Sequence, residues 1–361
     1  MATTSIAPND ANIIYSPGNW LIAAAGASTI NAGAYCRMML TGTKTLSLGF
    51  TLPTTQDTTI PVLTVIVDGV AADYPLAASI SVTLPSFSAA ATQHYVELIV
   101  KNTPSYQATN LWIPQLSMVT LSGITVDSGG ATQALAVRSK QILILSQSVS
   151  IGFRSQGDTN VDSADNNARY GWAYLQRDYL DAEVGVVGFS GQGLSIAGNG
   201  NVPDLLTTYN LLWSGQARSF ATNPDMIVVA DADNDIAAYA SKGTASGSPA
   251  NVQANLTTLA DNLKAASPAS KIVLMTPFTP YEFASVPAAT ITEYVSGFEA
   301  AALATGATFV NALACQSATD PTSDGLHPLA SVQLGKCGPA VASLLRPVLY
   351  PAGSGRSYVF S

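Results

Sequence analysis

Histidine is scarce in this chain, which makes its acid–base chemistry easy to search. There are only 2 His among 361 residues, His94 and His327. Imidazole changes charge near neutral pH, so a histidine general base has to be one of these two. His327 stands in Ser323-Asp324-Gly325-Leu326-His327-Pro328, close behind a carboxylate. His94 stands in a strand-like run, where a structural core histidine is the commoner use. Serines are many, but Ser148 has a telling position. It follows Gln141–Leu145 (QILIL), a continuously apolar run of the kind a doubly buried parallel strand shows. A serine just past such a strand, ahead of a loop and helix, is well placed as a nucleophile. Two further blocks carry chemistry-bearing residues. In Gly188-Phe189-Ser190-Gly191-Gln192-Gly193, glycines let backbone N–H groups approach a ligand closely. The other block is Asp231-Ala232-Asp233-Asn234-Asp235.

These blocks need elements to hold them. From Gln141 onward, strands and helices alternate. Strands are predicted at Gln141–Leu145, Glu183–Gly188, Met226–Ala230, Lys271–Met275 and Thr308–Asn311. Helices are predicted at Arg169–Asp181, Pro203–Ser214, Val252–Ala266, Ala289–Thr305 and Leu329–Leu345. That alternation means βαβ units and a parallel sheet, whose ligands bind at the carboxyl ends of the strands. All four blocks fall at such ends. Residues 1–135 read differently. Short β-branched or alternating runs occur at Ala34–Leu40, Thr45–Phe50, Val62–Asp68, Ser79–Leu84, Tyr95–Lys101 and Met118–Val126. With turn signals between them and no helix, they predict an all-β sandwich or jelly roll. Ser128-Gly129-Gly130 reads as a linker, and the expected division is 1–135 and 136–361.

Composition excludes several classes of function. With Lys+Arg 15 against Asp+Glu 23 the net charge is −8, too few basic residues for phosphate neutralisation, so no nucleic-acid partner is expected. No run approaches the ~18–20 apolar residues of a membrane span. Residues Met1 to Asn12 lack the pattern of a signal peptide. Low charge with much Thr, Ser, Ala, Asn and Gly points to an exported or phage-borne surface protein. Of the 3 Cys, Cys36 reads as core. Cys315 and Cys337 bracket His327, either as a disulfide or as two buried thiols.

The four blocks, in this order on a βα pattern, resemble the SGNH (GDSL-type) hydrolase superfamily over about 136–350. Ser148, Ser150 and Gly152 match its first block, Gly191 its second, Asn234-Asp235 part of its third, and Asp324 with His327 its last. The resemblance implies a flavodoxin-like, three-layer α/β/α hydrolase domain and a division of labour. Ser148 attacks an acyl carbonyl, His327 takes and returns the proton, and Asp324 orients the imidazole. The Ser148 and Gly191 N–H groups and the Asn234 amide form the oxyanion hole. No metal or organic cofactor is implied. The sequence departs from the family at Ser146-Gln147, where Gly-Asp is usual, and at Ala232, where Gly is usual. A β-sandwich ahead of such a domain is similar to the two-domain carbohydrate esterases of family 2, which implies an acetylated carbohydrate as substrate.

Other motifs fail on inspection. Gly188-Phe189-Ser190-Gly191-Gln192 lacks the last Gly of a nucleophile elbow. Asp231, Asp233 and Asp235 imitate a calcium loop, but Ile236 stands where Gly is required and Lys242 where Glu is. Gly191, Gly193, Gly198 and Gly200 do not make a dinucleotide fingerprint. Trp172 reads as core. Trp20 and Trp112 suit a sugar platform, though core packing is the commoner use. The expectation is a serine esterase acting on O-acyl, foremost O-acetyl, groups of a carbohydrate. The alternatives are a carbohydrate-binding or structural surface protein with a weak or inactive hydrolase domain, and a lipase or thioesterase of the same superfamily.

Overall fold

The apolar run after Lys140 forms the middle of a parallel sheet. A computed structural model describes residues 2–57, 59–83, 93–105, 110–221, 223–278 and 286–351. In it, Gln141–Gln147 pairs on one side with Glu183–Phe189 and on the other with Met226–Ala230. Lys271–Met275 and Thr308–Val310 continue the sheet. All pairs are parallel, and the order is second, first, third, fourth, fifth in chain sequence. This is the flavodoxin-like order, whose switch point lies beside the first strand. Alternate residues of that strand enter opposite cores. Ile142 and Ile144 pack with Trp172 and Leu345, while Leu143 and Leu145 pack with Leu256 and Phe298. Burial on both faces is why the strand lacks polar alternation.

The helices depart from expectation in two places. Pro203–Ser214 holds only one helical turn, Leu205–Thr208, capped by the Asp204 carboxylate. Leu211–Trp213 then pairs with Gln216–Ala217 around Gly215 at φ +78°. Buried Arg218 enforces this by donating to the carbonyls of Tyr209, Leu211 and Gly18, so the chain cannot continue as a helix. The last helix is broken into Ala330–Val332, a π turn at Gln333–Cys337, and Gly338–Leu349. The remaining helices fall near their predicted places, at Trp172–Tyr179, Pro249–Ala266 and Ala288–Thr305, and Asp233–Lys242 adds another.

Ahead of this unit lie two antiparallel sheets of six strands each, with a shared core that includes Met38, Leu48, Leu63 and Leu98. The predicted strands appear as Tyr35–Thr41, Thr45–Thr51, Val62–Val67, Ser79–Thr83, Gln93–Asn102 and Val119–Asp127. Leu84, the expected end of one, lies outside the described residues. Ser128–Gly130 is not a linker. Gly129, at φ +86°, closes a turn, and Ala131–Gln133 returns along Tyr35–Thr41. Cys36 is core, and Cys315 and Cys337 are separate buried thiols rather than a disulfide. Burial pushes Cys315 up to about 11 and Cys337 up to about 12.

The β sheets dock on the edge strand Glu183–Phe189. A Cβ on Gly185 would meet the Pro17 carbonyl at 1.7 Å, so only glycine allows that approach. Two buried carboxylates bind the units together. Glu183 accepts from Arg37 and from the Tyr35 hydroxyl at 2.7 Å, and Glu97 accepts from Arg177 and from the Tyr174 hydroxyl at 3.1 Å. Burial alone would raise the Glu183 pKa. The bonds from Arg37 and Tyr35 outweigh it and hold the carboxyl below its usual range. Its contribution to stability is therefore present above the unfolded value of about 4.3 and is lost as pH falls below it. Glu183→Ala strands the Arg37 charge, so a loss of roughly 3–5 kcal/mol is expected. A lowered urea midpoint at unchanged slope would show it.

Candidate active site

Ser148 lies where the central strand gives way to a tight turn. The Ser150 N–H and hydroxyl both donate to the Gln147 carbonyl, at 3.1 and 2.6 Å, and the Phe153 N–H donates back to the Ser148 carbonyl at 3.2 Å. On the facing loop, Gly325 at φ +84° turns the chain so that Asp324 Oδ1 accepts the N–H groups of Leu326 (3.0 Å) and His327 (2.8 Å). The loop is therefore wrapped around its own carboxylate. His327 Nδ1 lies 2.8 Å from Asp324 Oδ2, and Nε2 lies 3.0 Å from Ser148 Oγ. Phe153 meets the imidazole edge-on at 4.8 Å between ring centres. Ser148 and His327 are only 7% and 5% exposed, so little water reaches the pair. Burial would raise the Asp324 pKa, but the hydrogen bonds and charge of His327, with Arg154 added, drive it well below the usual carboxylate range. A histidine ring between an ionised carboxylate and a serine hydroxyl can remove the hydroxyl proton as the oxygen attacks a carbonyl.

Gly191 follows the neighbouring strand at φ +76°. Among the described residues, neither its main-chain N–H nor that of Ser148 donates to a backbone carbonyl. Asn234, the second residue of helix Asp233–Lys242, donates through Nδ2 to the Gln192 carbonyl at 2.7 Å. That bond ties the helix to the Gly191 loop. His94 is distant in role as well as sequence: it is fully buried in Gln93–Asn102 with Nδ1 2.7 Å from Asp68 Oδ2.

The profile of the GDSL-like lipase/acylhydrolase family matches residues 148–332, just over half of the chain. The chain belongs to this family. It is a carboxylic-ester hydrolase. No curated protein matches the sequence. Among solved structures, this acylhydrolase is similar to a family two carbohydrate esterase from Cellvibrio japonicus, with 22% identity over 96% of this chain and 97% of that one, at a TM-score of 0.73. It is also similar to an acetyl xylan esterase from the rumen bacterium Butyrivibrio proteoclasticus, with 16% identity over 97% and 99% of the two chains, at a TM-score of 0.76. A Clostridium thermocellum family two carbohydrate esterase solved with cellohexaose is a third, with 17% identity over 93% and 99%, at 0.72. What these likenesses share is the fold, β-rich sheets followed by the parallel α/β unit.

Where this acylhydrolase departs from its family's first block, the new side chain touches the block that follows the third strand. Gln147 Nε2 donates to Asp233 Oδ2 at 2.8 Å. Gln147 Oε1 accepts the Val149 N–H and the Ser148 hydroxyl, each at 2.9 Å. The amide orientation is fixed from both ends, because a main-chain N–H only donates and a carboxylate only accepts. Gln147→Glu would set two buried carboxylates together, and a loss of about 2–4 kcal/mol is expected. Adding Asp233→Asn restores a donor–acceptor pair. The double variant should recover at least half of that loss in a urea-denaturation cycle. Ala232, where the family usually has glycine, lies at φ +113°, which strains an alanine.

Two supporting residues, Arg154 and Gln333, escaped the sequence reading, and a third, Asp235, was matched to a block but given no role. Arg154 donates to Asp324 Oδ2 at 2.9 Å. Buried Gln333, in the π turn, donates to the Val149 carbonyl at 3.1 Å and accepts from the Trp172 N–H at 3.2 Å, bracing the nucleophile turn. Asp235 gathers the Leu194 N–H and the Ser195 N–H and hydroxyl, at 2.6, 3.0 and 2.7 Å, which shapes the loop after Gly191. A π turn was the only signal for Gln333, and it is invisible in sequence. The β sheets also reach this loop. Asn199 Nδ2 donates to the Ser105 carbonyl at 3.2 Å, and the Leu111 N–H donates to the Gly200 carbonyl at 2.8 Å.

Proposed function

We propose that this acylhydrolase is a serine esterase that removes O-acetyl groups from a carbohydrate. Ser148 is the nucleophile, His327 the general base and then acid, and Asp324 the residue that sets the imidazole tautomer and stabilises the imidazolium. The tetrahedral oxyanion is held by the Ser148 and Gly191 N–H groups and by the Asn234 amide hydrogen not given to Gln192. The observation that carries this reading is the continuous relay, 2.8 Å from Asp324 to His327 and 3.0 Å from His327 to Ser148. The burial of Ser148 and His327 favours a small acyl group. The shared fold with family two carbohydrate esterases supports a glycan as the alcohol. Composition supports a location outside the cell or on a phage surface, and among the described residues no helix is long and apolar enough to cross a membrane.

The test is acetate release from acetylated xylan and from p-nitrophenyl esters of rising chain length. Activity should be highest on acetate. A preference for octanoate would move the reading to a lipase. Gln147 motivates a second reading, a surface protein with a silent hydrolase domain. Its Oε1 is a rival acceptor for the Ser148 proton at 2.9 Å. A fluorophosphonate should label Ser148 in an enzyme and leave it unlabelled in a silent protein.

A further inference from the structure

Arg154 sits where an arginine backbone is strained. It follows Phe153 on the nucleophile turn at φ +53°, a conformation that glycine would take freely. The side chain is largely buried, and its Nη1 meets two carboxylates, Asp324 at 2.9 Å and Asp158 at 3.0 Å. Nη2 donates to Asn160 Oδ1 at 2.9 Å, and the guanidinium lies 5.4 Å from the Phe153 ring centre. The main-chain N–H is anchored too, donating to Asn166 Oδ1 at 2.8 Å. Asp324 is fully coordinated as a result. Oδ1 takes two loop N–H groups, and Oδ2 takes His327 Nδ1 and Arg154 Nη1 together.

Sharing one carboxylate oxygen between an imidazole and a guanidinium has a consequence beyond rigidity. A carboxylate beside a histidine favours the protonated ring. A fixed cation on the same oxygen offsets part of that pull, and the guanidinium never gives up its charge. The His327 ring meets Asp324, Ser148 and Phe153, and Arg154 is the fixed positive charge that acts on it through the shared carboxylate. Asp158 faces Arg154 on its other side, and Asp165 is turned toward Thr159 and Val161.

We propose that Arg154 is a positioning residue that tunes the base, holding the Asp324 carboxylate in place and keeping His327 neutral to lower pH than an unshared Asp–His pair would. This rests on the Ser148–His327–Asp324 reading. The function gained is hydrolysis on the acid side of neutrality, at the expense of some imidazolium stabilisation during reaction.

The experiment is the pH profile of kcat/KM on p-nitrophenyl acetate for the full chain and for Arg154→Met, Arg154→Gln and Arg154→Lys. Both neutral variants should move the acid limb upward by about half to one pH unit. Arg154→Lys should hold it near the parent position. Proton NMR of the imidazole signals, with His327 assigned by its loss in His327→Gln, should show the same displacement. A limb and an imidazole titration that stay in place in both neutral variants, with only kcat lowered, overturn the proposal and leave Arg154 a structural clamp. An imidazole titration that moves while the limb stays overturns instead the catalytic reading of His327. Urea denaturation of each variant distinguishes these outcomes from unfolding.

Discussion

Ser148→Ala is expected to lower kcat on acetyl esters by about 10⁴- to 10⁶-fold while leaving the urea midpoint nearly unchanged. On the proposed reading the hydroxyl supplies the attacking electron pair, and no other oxygen is held 3.0 Å from His327 Nε2 among the described hydrogen bonds. The small side chain keeps its turn, because the bonds at 3.1, 2.6 and 3.2 Å that build it come from main chain and Ser150. Residual activity should be measurable above the uncatalysed rate, since the Ser148 and Gly191 N–H groups would still meet an oxyanion. His327→Ala should fall to a similar floor, and the double variant little further, because base and nucleophile act in one step. Steady-state kinetics on p-nitrophenyl acetate checks this. Either single variant retaining full activity would sink the assignment.

The second large effect is expected at Asp324. Asp324→Asn preserves size but replaces an acceptor with an amide. The amide N–H₂ must then face His327 Nδ1 or Arg154 Nη1, both of which now donate to Oδ2. Against His327 it would draw the proton to Nε2, the tautomer that cannot receive the Ser148 proton. A fall in kcat of about 10⁴-fold is expected, the size known for the corresponding change in serine proteases. The carboxylate is held ionised well below the usual range, so its work in the parent enzyme persists through mildly acidic pH. Any stability it contributes is likewise present above the unfolded value of about 3.9 and lost only as pH falls below it. The variant should therefore differ from the parent in stability near neutrality and converge with it in strong acid. Kinetics at pH 7 and denaturation from pH 7 down into strong acid test both halves.

Much of this was legible because it is local. Gln141–Leu145 announces a doubly buried strand by lacking polar alternation, and Asp324 and His327 are close enough in sequence to share one turn. Scarcity narrowed the base to His327 once His94 was read as part of a strand. The errors have a common physical cause. Leu205–Trp213 has residues that a helix accepts, but Arg218 folds the chain back onto the Tyr209 and Leu211 carbonyls and is itself held by the distant Gly18 carbonyl. Ser128–Gly130 has linker composition, yet Ala131–Gln133 finds a partner in Tyr35–Thr41, so the glycines become a tight turn that carries the chain from one β sheet to the other.

The sequence by itself determined the order of strands and helices, the four loops that meet at the carboxyl ends of the sheet, and the residue types able to carry acyl transfer. Period, burial and turn chemistry act over a few residues, so they can be read along the chain. Tertiary structure alone decided how those types are held. It brought Arg154 to the carboxylate of a loop that follows far later in sequence, set Gln333 beneath the nucleophile turn, and paired Gln147 with Asp233. Each is a directional hydrogen bond between distant segments. Such a bond depends on ångström-scale placement that only the packed fold supplies.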